Sequence, residues 1–463
     1  MSALDDLSIA GAAALISRRK LSPVELVVHT VKRIAALNPT YHAVIDVLAA
    51  SALAEARAAE AEIAAGHYRG PLHGIPCGLK DLIDVAGTRT TCHSKIMADH
   101  VAAADAAVVE RLRAAGAIVI AKLALHEFAS GGPAHDLPWP AARNPWNADL
   151  HPGGSSSGSG AAVASSMLAA ALGTDTGGSI RNPATCCGII GMKPTYGLVS
   201  RRGVMPLAFS LDHIGPMTRT VEDNALLLQA IAGFDAKDPG SRSAPASDYG
   251  KDLRTGIAGL RIGVVEHFYT EDAAADTEMK QGIERAIAVL EQLGARVERV
   301  RLPPLAQWNA CGRAILQAES YVVHERWLKQ RPQDYCAISR RKLSAGAFIR
   351  AEEYIKALQA RTALTARFNA LMEDHDALVT LSGLELPCRI DDPEAIARTY
   401  ERHLRMPFNV TGTPAIAVPT GLSARGIPLG MQIAGKAFDE AMVYRIAAAY
   451  CDAAPMPSPP FTA

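Results

Sequence analysis

Apolar residues recur at three- and four-residue spacing through 6–37, a pattern that predicts helix. Within it, "LSPVELVVHTVKRIAALNP" carries its own start signal. Ser22 is the N-cap, Pro23 the first helical residue and Glu25 the residue that reaches back. A second helix is predicted over 50–66 and ends at Gly66. From Gly70 the texture changes. In "GPLHGIPCGLKDLIDVAG", glycine and proline punctuate short apolar pieces, which predicts strand and turn. "DAAVVERLRAAGAIVIAKL" then reads as helix, glycine and buried strand. A strand at 260–266, a helix over 275–293 and the strand "ARVERVRL" repeat that alternation. Residues 306–376 read as charged helix, followed by strands at 377–383, 415–421 and 430–435 and a last helix near 438–453. The predicted fold class is α/β, a sandwich with a mixed, twisted central β-sheet flanked by helices. Residues 1–65 are expected to form an N-terminal helical segment packed on the core. Residues 66–463 form the main domain, with a mostly helical insertion at about 306–376 on the substrate side.

"GGSSSGSG", residues 153–160, interrupts this pattern. A flexible linker would have polar flanks, but the C-terminal flank is apolar. A nucleotide-phosphate loop would carry GxxxxGK[ST], and no GK[ST] occurs here. The remaining reading is a tightly folded active-site loop whose small residues allow close backbone approach. A short Ala-rich helix is predicted at about 161–171, and after it comes "GTDTGGSIRNP". Consecutive N–H groups in such a glycine turn form an anion-binding nest. Ser179 at its end is a candidate nucleophile with the nest as oxyanion site. The competing reading is an ordinary turn serine. Two Ser/Gly clusters flanking one short helix shift the balance toward chemistry.

A serine nucleophile needs a base. None of the fourteen histidines sits in a G-x-S-x-G setting. Lys80 in "GIPCGLKDLIDV" is a lysine among apolar residues on a predicted strand, where burial lowers an amine's pKa. On "GLKD" alone, a snorkelling lysine or one paired with Asp81 or Asp84 is the preferred reading. His126 and Glu127 in "LALHEFASGG" do not make HExxH, because Ser130 stands where the second histidine is needed. They are expected to shape the loop beside the pocket.

Composition narrows the classes. The chain has 463 residues, 49% hydrophobic, ample for a large core. It carries 47 basic and 47 acidic residues, so a nucleic-acid or membrane-binding basic surface is not expected. The eight cysteines form no CxxC and no zinc spacing, and are expected as buried free thiols. No apolar run reaches the length of a membrane span and no signal peptide opens the chain, so a cytoplasmic protein is expected.

"GIPCGLKDLIDVAG", "PGGSSSGSGAAVA", "ALGTDTGGSIRNPATCCGIIGMKPTYG" and "SLDHIGPMTRTVED" resemble the amidase signature family, as do "PFNVTGTPAIAVPTG" and "GMQIAGKAFDEA" further on. The resemblance implies an amidase signature domain with a Ser-cisSer-Lys triad. The lysine falls on Lys80, the bridging serine on Ser155, with a cis peptide before it, and the nucleophile on Ser179. It implies an oxyanion hole from the amides of Thr176, Gly177, Gly178 and Ser179. Ser156, Asp175 and Arg181 match supporting positions, and Ala129 and Ser130 border the substrate. No metal or organic cofactor is implied. Two positions depart from the family pattern. Ser157 replaces a common glycine, and Asn182 stands where glutaminase subunits of tRNA amidotransferases usually carry Gln. The activity implied is hydrolysis of a small or aryl carboxamide, with esters and carbamates as further substrates. The alternatives are the glutaminase subunit of a tRNA-dependent amidotransferase and a catalytically inactive binding protein. The expected partner is a small-molecule amide, with no nucleic acid, no membrane and a homodimer. The acyl pocket is expected from 126–133, 306–400 and residues near 411–413.

Overall fold

The computed structural model describes residues 4–245, 247–401 and 404–457. The first half of the chain contributes strands β1 (Val44–Val47), β2 (Pro76–Lys80), β3 (Ile118–Leu123), β4 (Ala170–Asp175), β5 (Ile190–Lys193) and β6 (His213–Thr218). The second half adds β7 (Arg261–Val264), β8 (Arg296–Arg299), β9 (Ala377–Leu381), β10 (Ala415–Leu422) and β11 (Pro428–Ala434). Among the described residues these eleven strands make one sheet, in the order β1-β3-β2-β4-β6-β5-β10-β11-β9-β7-β8.

Local connections explain why the sheet is mixed. Helix α4 (Ala107–Ala114) lies between β2 and β3, which pair in parallel, as a helical crossover requires. The β10–β11 pair is closed by a short turn and is antiparallel. β4 pairs in parallel with β2 on one side and antiparallel with β6 on the other. Helices cover both faces. Helices α1 (Ile9–Ser17), α2 (Pro23–Tyr41) and α3 (Ala49–Ala64) precede α4, while α5 (Ser157–Ala164), α6 (Arg181–Cys187) and α7 (Val221–Ile231) follow it. Ala170 and Leu172 of β4 join the core on one face, and Ala171 joins α2, α3 and α5 on the other, the two-residue alternation of a doubly covered strand.

The C-terminal half brings the short α8 (His267–Thr270), α9 (Thr277–Gln292), α10 (Leu305–Gln330), α11 (Ala337–Ser344) and α12 (Ala351–Glu373). After β9 come α13 (Pro393–Glu401) and α14 (Met406–Val410), and α15 (Glu440–Ala453) follows β11. The predicted charged helix over 306–376 is thus α10, α11 and α12. α10 packs on α12 and on α14.

Four sequence expectations change. The long N-terminal periodic segment is two helices, broken at 18–22. Ser22 does cap α2, accepting from the N–H groups of Val24 and Glu25, but its hydroxyl donates to Glu60 rather than Glu25 receiving a return bond. Residues 1–65 also supply strand β1 to the sheet. The helix predicted at 161–171 lies instead at 157–164, and 170–175 is the strand β4. Ala and Gly are poor strand formers by propensity, but β4 runs between two partners beneath a close helix. A Cβ on Gly173 would stand 2.8 Å from Ser156 Oγ.

The small residues of "GGSSSGSG" therefore serve a helix as well as a loop. All eight residues of α5 are buried. A Cβ on Gly158 would lie 2.4 Å from the Ala43 carbonyl oxygen and 2.5 Å from the Ala124 nitrogen, both backbone atoms. Ser157 is the first residue of this helix and is not among the positive-φ residues, so its side chain replaces the family's glycine without strain. Gly158→Val is expected to destabilise the fold by about 1–3 kcal/mol through overpacking, read from the denaturant midpoint. An unchanged midpoint would contradict the close approach.

Candidate active site

Strands β2 and β4 run parallel, with Leu79 opposite Leu172, and their carboxyl ends open on one side of the sheet. Open α/β sheets bind ligands at such carboxyl ends. Lys80 is the last residue of β2, and Thr174 and Asp175 are the last two of β4. The Lys80 side chain is fully buried, with its Nζ 2.7 Å from Ser155 Oγ and 2.7 Å from Thr174 Oγ1. Its sequence neighbour Asp81 is paired instead with Lys122, at 2.9 Å. Burial pushes the Lys80 amine down to about 7, against the pull of the Asp175 and Asp212 carboxylates. A large share of the amine is therefore neutral at neutral pH and can accept a proton.

Ser155 reaches the amine from the loop before α5, where the Gly154–Ser155 peptide is cis. Ser156 fastens this loop to the strand end. Its hydroxyl donates to the Thr174 carbonyl at 3.2 Å and accepts from the Thr174 N–H at 3.2 Å. Its own N–H donates to the Ser179 carbonyl oxygen at 3.2 Å, so the two serine-bearing loops are joined directly. Ser155 and Ser179 both line one cavity of about 590 Å³, with Thr176, Gly177 and Gly178.

The turn carrying Ser179 is built around Asp175. Its carboxylate accepts from the N–H groups of Gly178 at 2.8 Å and Ile180 at 3.1 Å. Arg181 closes the ring with Nε 3.1 Å and Nη2 3.0 Å from the two carboxylate oxygens. Asn409 adds an Nδ2–H donor at 2.8 Å, and Arg181 also donates to Asn409 Oδ1 and Gln432 Oε1. Burial alone would raise the Asp175 carboxyl, but the Arg181 guanidinium holds it well below the usual carboxylate range. Arg181 and Asp175 are both fully buried. Removing one member of a buried pair strands the other, so Arg181→Met is expected to cost about 3–5 kcal/mol in unfolding free energy. Equilibrium denaturation measures this, and a loss below about 1 kcal/mol would contradict the pairing as described.

The amides expected to form an oxyanion hole are engaged unequally. The Gly178 N–H is engaged by Asp175, whereas the N–H groups of Gly177 and Ser179 have no acceptor among the described residues. Gly178 has φ +124°, and a Cβ there would stand 2.5 Å from Arg405 Nε. Only glycine fits this turn.

The remaining sequence candidates also reach the cavity. Ala129, Ser130 and His126 line it. His126 packs on Gly154 and is held neutral by burial, with the nearby positive groups acting the same way. Glu127 accepts from Ser94 Oγ and from the Cys336 N–H, and so ties this loop to α11. Cys187 lies behind the turn, its thiol 3.4 Å from the Pro152 carbonyl oxygen. All eight cysteines are free, six of them buried. The expected pocket segment near 411–413 does not line the cavity. Thr411 and Thr413 hydroxyls bond each other, and Arg405 and Met406 provide that wall instead.

Three residues that sequence reasoning passed over belong to the site. Thr174 is the second hydroxyl on the Lys80 amine and lay in a stretch read as following a helix. Asp212 accepts from the Thr176 hydroxyl at 2.6 Å, and burial raises its carboxyl to about 6. It stands in the quoted stretch "SLDHIGPMTRT", where an acid between Leu211 and His213, just ahead of an apolar strand, is the available signal. Arg405 is buried against the Ser179 turn, and a lone arginine ahead of "MPFNV" marks it.

A mixed sheet with a buried lysine and two serine loops at one edge has the layout of an amidase signature enzyme. The chain belongs to that family: the Amidase family profile matches residues 25–444. It is 39% identical over 479 residues to the A-type subunit of the glutamyl-tRNA(Gln) amidotransferase of Roseiflexus castenholzii, covering 97% of this chain and 96% of that one. Among solved structures it resembles one from a vestigial protein complex tied to the evolutionary origins of an s-triazine catabolic enzyme. That match has TM-score 0.90 and 31% identity over 96% of this chain and 98% of the other. It also resembles the peptide amidase of Stenotrophomonas maltophilia, with TM-score 0.84 and 32% identity over 98% of each chain. No described helix is long and apolar enough to cross a membrane.

Proposed function

We propose that the protein hydrolyses the C–N bond of a carboxylic acid amide through an acyl-enzyme on Ser179. The observation that carries this reading is the buried Lys80 amine, lowered to about 7, 2.7 Å from Ser155 Oγ in the cavity that Ser179 also lines. Neutral Lys80 takes the Ser155 hydroxyl proton while Ser155 takes that of Ser179. Ser179 Oγ then attacks the amide carbonyl carbon. The charge that develops on the carbonyl oxygen faces the amides of Thr176, Gly177 and Ser179. One such donor contributes about 2.7–4 kcal/mol to the transition state. The proton returns through Ser155 to the nitrogen as the C–N bond breaks, and the amine or ammonia leaves. Water, deprotonated along the same path, releases the acid and restores Ser179.

A second reading is the glutaminase subunit of a tRNA-dependent amidotransferase, and the names of the sequence relatives favour it. Both readings share the Ser179 chemistry and differ in substrate and in the need for partner chains. Asn182, which lines the cavity where that subfamily usually carries Gln, favours the free-standing amidase. The purified chain alone is expected to release ammonia or amine from simple carboxamides. Turnover confined to glutamine, and dependent on added partner chains, would assign the second reading instead. A serine-directed fluorophosphonate that fails to react would point to an inactive binding protein.

A further inference from the structure

A second cavity, of about 580 Å³, adjoins the Ser179 cavity. Ala129, Thr176 and Leu207 line both, so the two meet at these residues. The second cavity also reaches Thr174, whose Oγ1 lies 2.7 Å from Lys80 Nζ. The same amine is 2.7 Å from Ser155 Oγ. One amine therefore stands between this cavity and the hydroxyl proposed to return a proton to the departing nitrogen. Away from Thr174 the cavity is open, for Phe209, Lys237 and Arg242 line it and are exposed.

The junction is built by Asp212. Its carboxylate accepts from the Thr176 hydroxyl at 2.6 Å and from the N–H groups of Leu207 at 2.9 Å and Ala208 at 3.1 Å. One side chain thus holds two of the three shared residues. Charge farther along the wall is matched in place. Arg201 pairs with Asp238 at 3.0 Å, and Arg202 with Glu110 at 2.6 Å and Asp235 at 3.0 Å. The Tyr196 hydroxyl donates to the Phe209 carbonyl at 2.9 Å, which leaves its ring as the lining surface. Leu82, Val204, Met205, Pro206 and Ile214 make the lining largely apolar.

Cavities of about 300–1,000 Å³ with mostly apolar walls suit the hydrophobic part of a small molecule. Ammonia, the leaving group of a primary amide, needs no such volume. An alkylamine released here would take up a proton, and apolar walls disfavour the ion. Asp212 and Asp238, the acids in the lining, are already bound to donors of the protein. An arylamine stays uncharged at neutral pH. Resting on the amidase reading above, we propose that this second cavity receives the amine half of the substrate, which is an N-aryl carboxamide. Its acyl half occupies the Ser179 cavity. As Ser179 Oγ bonds to the carbonyl carbon and the C–N bond breaks, the proton taken from Ser179 passes through Ser155 to the nitrogen. The neutral arylamine then leaves by the open end.

The test uses butyranilide and butyramide, which share an acyl half. The wild type is expected to favour butyranilide in kcat/KM, and Val204→Trp, whose indole fills the second cavity, should lower that preference by about tenfold or more. Fluorophosphonate labelling of Ser179 in the variant shows that it is folded. A second measurement needs no cavity variant and no turnover. The p-azido derivative of butyranilide is irradiated on Ser179→Ala, and the adducts are located by peptide mass spectrometry. They are expected within 196–214 or 237–242. An unchanged preference in a folded Val204→Trp, or adducts absent from those two segments, would overturn the proposal while leaving the amidase reading intact. No hydrolysis of any amide together with no fluorophosphonate adduct on Ser179 would remove the amidase reading itself.

Discussion

Replacing Ser179 by alanine is expected to abolish amide turnover, with kcat falling by about 10⁴-fold or more, because the proposed acyl bond forms on its hydroxyl. The fold should survive the change. The turn is held by Asp175, Arg181 and Asn409, and the Ser179 carbonyl, which Ser156 binds, is untouched by the substitution. The variant should keep the wild-type denaturant midpoint and show no acyl adduct in intact-mass spectra taken during turnover. An adduct that persists on the variant would move the nucleophile to another side chain.

The second large effect concerns Lys80. Lys80→Met removes the proposed terminal base and is expected to lower kcat by about 10²–10⁴-fold, the usual contribution of general base catalysis. The sign of the pH dependence follows from the direction of the shift. Burial lowers the amine to about 7, so below that pH it is protonated and cannot accept from Ser155. The wild-type rate should fall about tenfold per pH unit below this point and level off above it. The methionine variant should lose that acid limb. A wild-type profile flat between pH 5 and 9, read on an order-of-magnitude scale, would take Lys80 out of the proton path.

The two ends of the proposed relay were legible in different ways. Ser155 and Ser179 lie in glycine-rich stretches whose composition excludes linkers and nucleotide loops, so the residues themselves raise the question of chemistry. Lys80 is different. Read locally, "GLKD" describes a lysine paired with its neighbour, and only the family resemblance selects the catalytic reading. The structure shows why local reading fails. Asp81 points to Lys122, 41 positions away and one strand over, and no spacing rule connects them. Thr174 was hidden for a related reason. The Ala- and Gly-rich stretch around it resembles a helix end by propensity, whereas burial between β2 and β6 makes it strand. The far wall of the Ser179 cavity was least legible. It is assembled from α10, α11 and the segment before α14, which show no shared motif along the chain and meet only in the folded molecule.

One measurement addresses the relay as a whole. The protein is treated with a fluorophosphonate across pH 5.5–9, a window chosen to bracket the Lys80 amine at about 7, and the adduct is located by peptide mass spectrometry. The account predicts a single adduct on Ser179 whose rate of formation climbs through pH 7 in the wild type and loses that climb in Lys80→Met and Ser155→Ala. An adduct on a different residue, or the same pH response in all three proteins, would contradict it.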